Sequence, residues 1–311
     1  SKILAFSLMS KIEVNKVNTV GGHSDCVYTL EQGPKPNEFF SSGGDGVVAL
    51  WDLNDMDNGR MIVKVPTSIY ALCYYAERNV LVVGQNFDGI HLVDLEKKKE
   101  VGSINLGTSA IFDIKVVKDR IFAALANGEV HVLNITTLET IQVIQASEMS
   151  ARTIAISEQL GHLAIGFSDN FIRIYSLIDF SLIKEIEAHK LSVFTVQYSP
   201  DQRYLISGSR DAHLKIWDTK KDYELQESIV AHMFAINHLV FSPDSKHFVT
   251  CSMDKSIKVW DAETFQLLKV IDKARHAGHG TSINKVLWTN FNNLLLSASD
   301  DRSISTWDIK F

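Results

Sequence analysis

The chain has 311 residues, a formal net charge of −6 and a pI near 6.0, and 45% of its residues are hydrophobic. This acidic balance argues against nucleic acid as a partner, because nucleic acids select basic surfaces. No apolar run approaches the roughly 20 residues that a membrane-spanning helix needs. Cys26, Cys73 and Cys251 lack metal-binding or redox spacing and are predicted to be small buried hydrophobic residues. We therefore predict an intracellular protein of the cytoplasm that needs no metal or other cofactor.

The first ten residues lie outside the pattern that fills the rest of the chain. Met9-Ser10-Lys11 has the form of a natural start, so residues 1–10 are predicted to be an N-terminal extension, with residues 1–8 foreign to the protein. Residues 11–311 are predicted to form one domain. Its first element is the short strand Glu13–Val20, which has no partner near it in the sequence.

Seven alternating runs follow, and each ends in an apolar residue and a polar one. These pairs are Trp51-Asp52, Val93-Asp94, Leu133-Asn134, Tyr175-Ser176, Trp217-Asp218, Trp260-Asp261 and Trp307-Asp308. The steps between them are 42, 40, 42, 42, 43 and 47 residues, a period typical of four-stranded repeat units. In the fifth repeat, residues 192–201, 203–209 and 213–218 form three largely apolar strands, and residues 223–230 form a more polar fourth.

Four of the repeats carry a second recurring signal upstream of the Trp-Asp pair. A small residue precedes a histidine at Gly22-His23, Ala188-His189, Ala231-His232 and Gly278-His279. Together with the Trp-Asp endings, these pairs resemble the WD-repeat family over residues 11–311. The resemblance implies an all-β fold, a seven-bladed β-propeller with four antiparallel strands per blade.

Each tryptophan of these four repeats has an Asp six positions before it and a hydroxyl ten positions before it. The Asp can accept from the His ring, the His from the hydroxyl, and the hydroxyl from the indole N–H, so every buried polar atom finds a partner. In the family such tetrads are structural, and a catalytic role would require four identical active sites. The predicted tetrads are His23, Ser41, Asp45 and Trp51; His189, Ser207, Asp211 and Trp217; His232, Thr250, Asp254 and Trp260; and His279, Ser297, Asp301 and Trp307.

Repeats two, three and four lack the tetrad. Other residues stand at the histidine positions, namely Val65, Gly107 and Ser147. The turn acid is displaced by one position to Asp88, becomes Asn127, and survives as Asp169. The last repeat reaches Phe311 after only three strands, so we predict that Glu13–Val20 completes blade seven as its outer strand and closes the ring.

The candidate partner-binding residues come from one position in each first strand, just after its opening apolar residue. In WD-repeat proteins this position projects toward the central opening of the usual binding face. These mouth residues are Tyr28, Tyr70, Phe112, Arg152, Phe194, Asn237 and Asn284. The residues before three turn acids, Arg210, Met253 and Asp300, are predicted to join the same surface. Tyr, Phe, Met and Arg dominate binding hot spots, but the alternative is that these aromatic side chains merely plug the channel.

The sequence thus favours a non-catalytic scaffold that binds a protein or peptide partner through this aromatic face, with the propeller itself a monomer. A propeller enzyme with a central metal is disfavoured, because the mouth residues include no His, Asp or Glu. His276 and His279 form an HxxH, but the resemblance assigns His279 to a tetrad. A third hypothesis is an architectural subunit that packs into a larger complex through its sides.

Overall fold

The computed structural model describes residues 11–311; the predicted extension 1–10 lies outside the described residues. It contains seven four-stranded antiparallel sheets, each with its strands in sequence order except for the one that joins the two ends of the chain. The predicted fold, a closed seven-bladed propeller with four strands per blade, is confirmed.

The 28 strands are named here in chain order, blade by blade. Blade one has β2 Val27–Gln32, β3 Glu38–Gly43, β4 Val47–Asp52 and β5 Asp55–Lys64. Blade two has β6 Ile69–Tyr75, β7 Val80–Gln85, β8 Gly89–Asp94 and β9 Lys99–Asn105. Blade three has β10 Ile111–Val117, β11 Arg120–Leu125, β12 Glu129–Asn134 and β13 Thr140–Gln145. Blade four has β14 Ala151–Ser157, β15 His162–Phe167, β16 Phe171–Ser176 and β17 Leu182–Glu187.

The remaining blades repeat the pattern. Blade five has β18 Val193–Tyr198, β19 Tyr204–Ser209, β20 His213–Asp218 and β21 Glu224–Val230. Blade six has β22 Ile236–Phe241, β23 His247–Ser252, β24 Ile257–Asp261 and β25 Leu267–Ile271. Blade seven has β26 Ile283–Trp288, β27 Leu295–Ser299, β28 Ile304–Lys310 and β1 Glu13–Val20. Between strands lie one short helix, α1 (Lys273–His276), and 3-10 turns at Ala76–Arg78 and Thr219–Lys221.

The ring closes where β1 pairs with β28. The two strands run antiparallel, with Glu13 opposite Lys310 and Val20 opposite Ile304, and a bulge leaves Val17 without a partner residue. Pairing the two strands covers the edge that a three-stranded blade seven would expose. The predicted closure by the N-terminal strand is therefore present in the structure.

Burial falls from the middle of each blade to its rim. The second and third strands are almost wholly buried, whereas outer strands such as β13 and β21 are mostly exposed. Apolar side chains of neighbouring blades form the core; for example, Phe40 and Leu50 of blade one pack in a cluster with Ile69 and Leu81 of blade two. Each sheet is packed between two others, so its inner strands are buried on both faces. Their sequences are therefore almost continuously hydrophobic.

The two faces of the ring carry different loops. The loops from the fourth strand of one blade to the first strand of the next, and from second to third strands, lie on the upper face. The loops from first to second and from third to fourth strands lie on the lower face. Within residues 11–311, no helix is long and apolar enough to cross a membrane.

Candidate functional site

The structure contains the tetrad hydrogen bonds in blades one, five, six and seven. In blade five, His189 Nδ1 lies 3.0 Å from Asp211 Oδ2, and His189 Nε2 lies 2.7 Å from Ser207 Oγ. The indole N–H of Trp217 donates to the same Ser207 Oγ at 2.9 Å. The three corresponding distances are 2.9, 2.7 and 2.8 Å in blade one, 2.8, 2.7 and 3.0 Å in blade six, and 2.8, 2.8 and 2.9 Å in blade seven.

This network assigns the histidine tautomer. The Asp carboxylate only accepts and the indole N–H only donates, so the neutral ring carries its proton on Nδ1 and accepts the hydroxyl proton at Nε2. Burial lowers the pKa of His189 and of His232, although the partner carboxylates oppose that effect. Burial alone would raise the pKa of the Asp211 carboxyl, but hydrogen bonds from His189 and from backbone N–H groups hold it well below its usual range.

We expect these buried histidines to make the ring sensitive to acid. Their pKa values in the folded state lie below the unfolded value of about 6.5, so the unfolded chain takes up protons that the folded chain refuses. Stability should fall below about pH 6.5, by at most about 1.4 kcal/mol per histidine for each pH unit. The lowered carboxyl pKa values have the same sign, and their contribution is lost below about pH 4.

Urea unfolding at pH 7.5 and 5.5 measures this loss. The double variant His189→Gln, His232→Gln should be less stable at pH 7.5 but show a flatter pH dependence. His131→Gln is the matched control, because His131 pairs with Glu129 in blade three and touches none of the tetrad residues. Equal stability of the unaltered protein at both pH values would contradict the expectation.

The three blades without tetrads use hydrogen-bonded polar pairs at a different position, two residues before the residue that replaces Trp. In blade four, the buried Arg173 binds Asp169 at 2.8 Å and Glu185 at 2.8 Å. In blade two, His91 binds Asp88 at 3.0 Å, and in blade three His131 binds Glu129 at 2.6 Å. These pairs lie nearer the surface than the tetrads, so blades two to four rely less on buried polar networks.

All seven mouth residues line one cavity of about 430 Å³ at the upper end of the central channel. Tyr28 meets Tyr70 edge-on, with ring centroids 5.0 Å apart, and Tyr70 stacks on Phe112 at 5.5 Å. The Arg152 guanidinium lies between two rings, 3.8 Å from the centroid of Phe112 and 4.6 Å from that of Phe194. The aromatic side chains therefore form a continuous arc around the opening.

Several of the other predicted binding residues also hold neighbouring blades together. Asn237 donates to the Ile283 carbonyl at 2.7 Å, and Asn284 donates to the Val27 carbonyl at 2.9 Å. Asn284 also donates to Asp300 at 2.8 Å. Met253 is half exposed and Arg210 is exposed, so these two side chains are accessible at the surface.

The sequence reasoning missed a charged layer inside the channel, below the mouth. First strands are the inner edges of their sheets, and a side chain of one blade accepts from a backbone N–H of the next. The acceptors are Glu31 for Tyr74 at 3.2 Å, Asp113 for Ile154 at 2.7 Å, Thr153 for Val196 at 3.1 Å and His238 for Val286 at 3.3 Å. The sequence does carry an indication of this layer, because charged residues interrupt otherwise apolar first strands one and three positions after the mouth residue.

Lysines share this layer with the acceptors. Lys115 binds Asp113 at 3.1 Å, whereas no acceptor lies within hydrogen-bonding distance of Lys285 in the part of the chain described. Burial lowers the pKa of Lys285, and the charge of Lys115 lowers it further. Burial acts in the same direction on Lys115, but Asp113 and other nearby groups outweigh it, so the pKa of Lys115 is raised. Burial and the two lysines lower the pKa of His238 far below its usual value, so it stays neutral.

Apolar loop residues on the upper face were also missed. Met233 is 81% exposed and Phe234 56% exposed in the loop from β21 to β22. Met149 and Leu191 are exposed in the corresponding loops before blades four and five. Phe87 was not missed: it precedes the turn acid Asp88 as Met253 precedes Asp254, and this position was expected at the same rim. It is exposed, and its φ of 66° is costly for a large side chain. The other loop residues follow no strand period, so only their type could have marked them.

The cysteines and the HxxH histidines differ in their burial and surroundings. Cys73 and Cys251 are buried, and burial raises the pKa of Cys73 to about 12. The prediction that all three cysteines are buried is wrong for Cys26, which is half-buried because it lies in a loop beside Asp300. Within residues 11–311, no group of three or more His, Cys, Asp or Glu side chains is arranged to hold a metal ion.

Four stretches of the chain match the model of a known protein family. The family "WD domain, G-beta repeat" matches residues 14–52, 180–218, 223–261 and 271–308. The chain is a WD-repeat protein. The matched stretches contain the four complete tetrads of this WD-repeat protein, whereas the unmatched residues 53–179 include blades two and three and the first three strands of blade four, which lack them.

Relatives of this WD-repeat protein are about a quarter identical to it over aligned stretches of 200 to 219 residues. It is 25% identical to the striatin homolog of Dictyostelium discoideum over 219 residues, 63% of this chain and 26% of that relative. It is 24% identical to THO complex subunit 3 of Arabidopsis thaliana over 200 residues, 63% of this chain and 62% of that relative. Human apoptotic protease-activating factor 1 is 27% identical over 209 residues, 67% of this chain and 13% of that relative. The chain thus matches less than two thirds of the length of each.

Proposed function

We propose that this WD-repeat protein is a non-catalytic scaffold that binds a protein or peptide partner on its upper face. The observation that carries the proposal is the distribution of exposed apolar side chains in the loops. On the upper face these are Phe87, Met149, Leu191, Met233, Phe234 and Met253. On the lower face of the described residues, the exposed large apolar side chains outside strands are Ile178 in a loop and Phe311 after the end of β28.

An asymmetry of this kind supports partner binding at the upper face. Exposed Met and aromatic side chains offer large contact area, and a ring of them around a concave opening provides the apolar core of an interface. Phe87 strengthens the argument, because its left-handed backbone costs free energy and its side chain nevertheless stays 57% exposed.

The relatives support a scaffold as well. One is named as a subunit of the THO complex, so that protein is part of a multi-protein assembly. Outer-strand residues such as Met61 and Leu182 are exposed at the sides, and they would serve the architectural alternative. They are spread over separate blades, however, whereas Met233, Phe234 and Met253 lie together, with the Met253 N–H bonded to the Ala235 carbonyl at 3.0 Å.

The test compares two exposed sites on opposite faces. The amount of partner recovered with the affinity-purified double variant Met233→Ser, Phe234→Ser should fall at least about tenfold. The reason is that a hot-spot side chain contributes about 2 kcal/mol or more to binding. Ile178→Ser is the matched control on the lower face and should retain them. Full retention of the partners by the double variant would contradict an interface at these two residues. Loss of the partners by the control would place the interface on the lower face. Both variants should keep the unaltered melting temperature, since all three side chains are exposed.

A further inference from the structure

The cavity beneath the mouth residues is unusual in its charge. Its lining includes three basic side chains, Lys115, Arg152 and Lys285, and one carboxylate, Asp113. Glu31 lies deeper, and its carboxylate already accepts from two backbone N–H groups, of Gln32 and Tyr74. A protein with a formal net charge of −6 therefore carries a net positive charge in the opening at the upper end of its channel.

The polar groups of the cavity fall into two sets. Asp113, Thr153 and His238 accept backbone N–H groups of the next blade, and Lys115 is paired with Asp113. Among the described residues, Arg152 and Lys285 have no hydrogen-bond acceptor at all. Arg152 has only the faces of two aromatic rings, which leave the N–H groups at the edge of its guanidinium free. Asp113 and Glu31 attract Lys285 at distances too long for a hydrogen bond, so within the described residues the donors of both cations stay unpaired. Unpaired buried donors are costly unless an acceptor binds them.

We propose that this cavity binds a compact oxyanion, a phosphate or carboxylate, held by Arg152 and Lys285. The volume of about 430 Å³ has room for such a group and its waters but not for a folded segment. A planar guanidinium offers two parallel N–H donors to two oxygens of the anion, and the ammonium of Lys285 supplies a point charge. Gln197 also lines the cavity and offers a further amide group, whereas the Asn237 amide already donates to Ser282 and Ile283.

The source of the oxyanion is either a free ion or an acidic side chain at the tip of a docked peptide. The inference concerns the cavity below the loops, and it does not depend on Met233 and Phe234, on which the test of partner binding rests. Failure of one proposal therefore leaves the other standing.

The experiment measures the melting temperature of the protein against sodium phosphate, with sodium chloride at matched ionic strength as the reference. The unaltered protein should show a saturable rise with phosphate, because a ligand that binds only the folded state stabilises it. In Lys285→Met, the concentration needed for the same rise should increase at least about tenfold, and Lys285→Arg should restore most of the response. Lys220→Met is the matched control, since Lys220 is exposed on the lower face.

A parallel titration with N-acetyl-phosphoserine amide and N-acetyl-aspartate amide separates the two sources. Tighter binding of a capped amino acid than of inorganic phosphate supports a peptide side chain, and equal or weaker binding supports a free anion. No response to any of the three probes beyond that of chloride, or an identical response in Lys285→Met, would overturn the proposal. If Lys285→Met does not fold, Lys285→Gln takes its place as the neutral variant.

Discussion

Deletion of residues 11–20 is expected to abolish the cooperative unfolding transition of the ring. The deleted segment contains β1, which pairs with β28 from Glu13 to Val20. Ile12 and Val14 pack against the cluster that contains Trp307 and Ile309. The loss of their burial and of the inter-strand hydrogen bonds should cost about 4 kcal/mol or more and leave β28 as an exposed edge. Circular dichroism and calorimetry on the deletion protein measure the transition.

Two point variants within β1 show whether strand pairing, rather than chain length, is responsible. Val14→Lys places a charge against the blade-seven core and should destabilise the protein by about 1–3 kcal/mol. Val17→Lys is the matched control, because Val17 lies in the bulge and is 49% exposed, and it should change stability by less than about 0.5 kcal/mol. A deletion protein that melts in one sharp transition at the original temperature would show that β1 is dispensable.

The substitution Ser207→Ala should destabilise the protein by about 2–5 kcal/mol, although it removes only one oxygen atom. Ser207 Oγ bonds both His189 Nε2 and the Trp217 indole N–H, and all three residues are buried. The variant leaves an acceptor and a donor without partners, and each costs about 1–3 kcal/mol. Urea denaturation at pH 7.5 gives the free energy of unfolding.

The matched control for this change lies in the outer strand of the same blade. Ser228 is exposed in β21, so Ser228→Ala should alter stability by less than about 0.5 kcal/mol. A loss in Ser207→Ala no larger than that in Ser228→Ala would mean that the tetrad contributes little to stability. A double variant with Trp217→Phe should be less than additive, because the indole donor is then gone.

The fold could be predicted from the sequence because the same four-stranded unit is repeated seven times. Each repeat needs two buried strands, a tight turn and a more polar rim, so the pattern recurs at steps of 40 to 47 residues. The limits of β1, Glu13–Val20, agree with the segment identified from its likeness to fourth strands. The mouth residues follow from the same periodicity, because one position in each first strand faces the opening.

The rest of the site depends on contacts between blades, which periodicity does not encode. Asp113 accepts an N–H from the next blade, some forty residues on, and only the assembled ring brings these groups together. The exposure of Met233 and Phe234 is set by the shape of a loop rather than by a strand pattern. Cys26 was misjudged for a related reason: its apolar surroundings in the sequence belong to a strand that begins one residue later.

The pairing of β1 with β28 has a consequence for biosynthesis. Glu13 and Lys310 face each other across the seam, yet they are separated by almost the whole chain. At about 5–20 residues per second, the ribosome needs about 15–60 s to make the residues between them. During that time β1 is a strand without its partner, able to pair wrongly with other edges. A nascent chain of this protein therefore depends on protection of its first strand, and slow translation prolongs the period of risk.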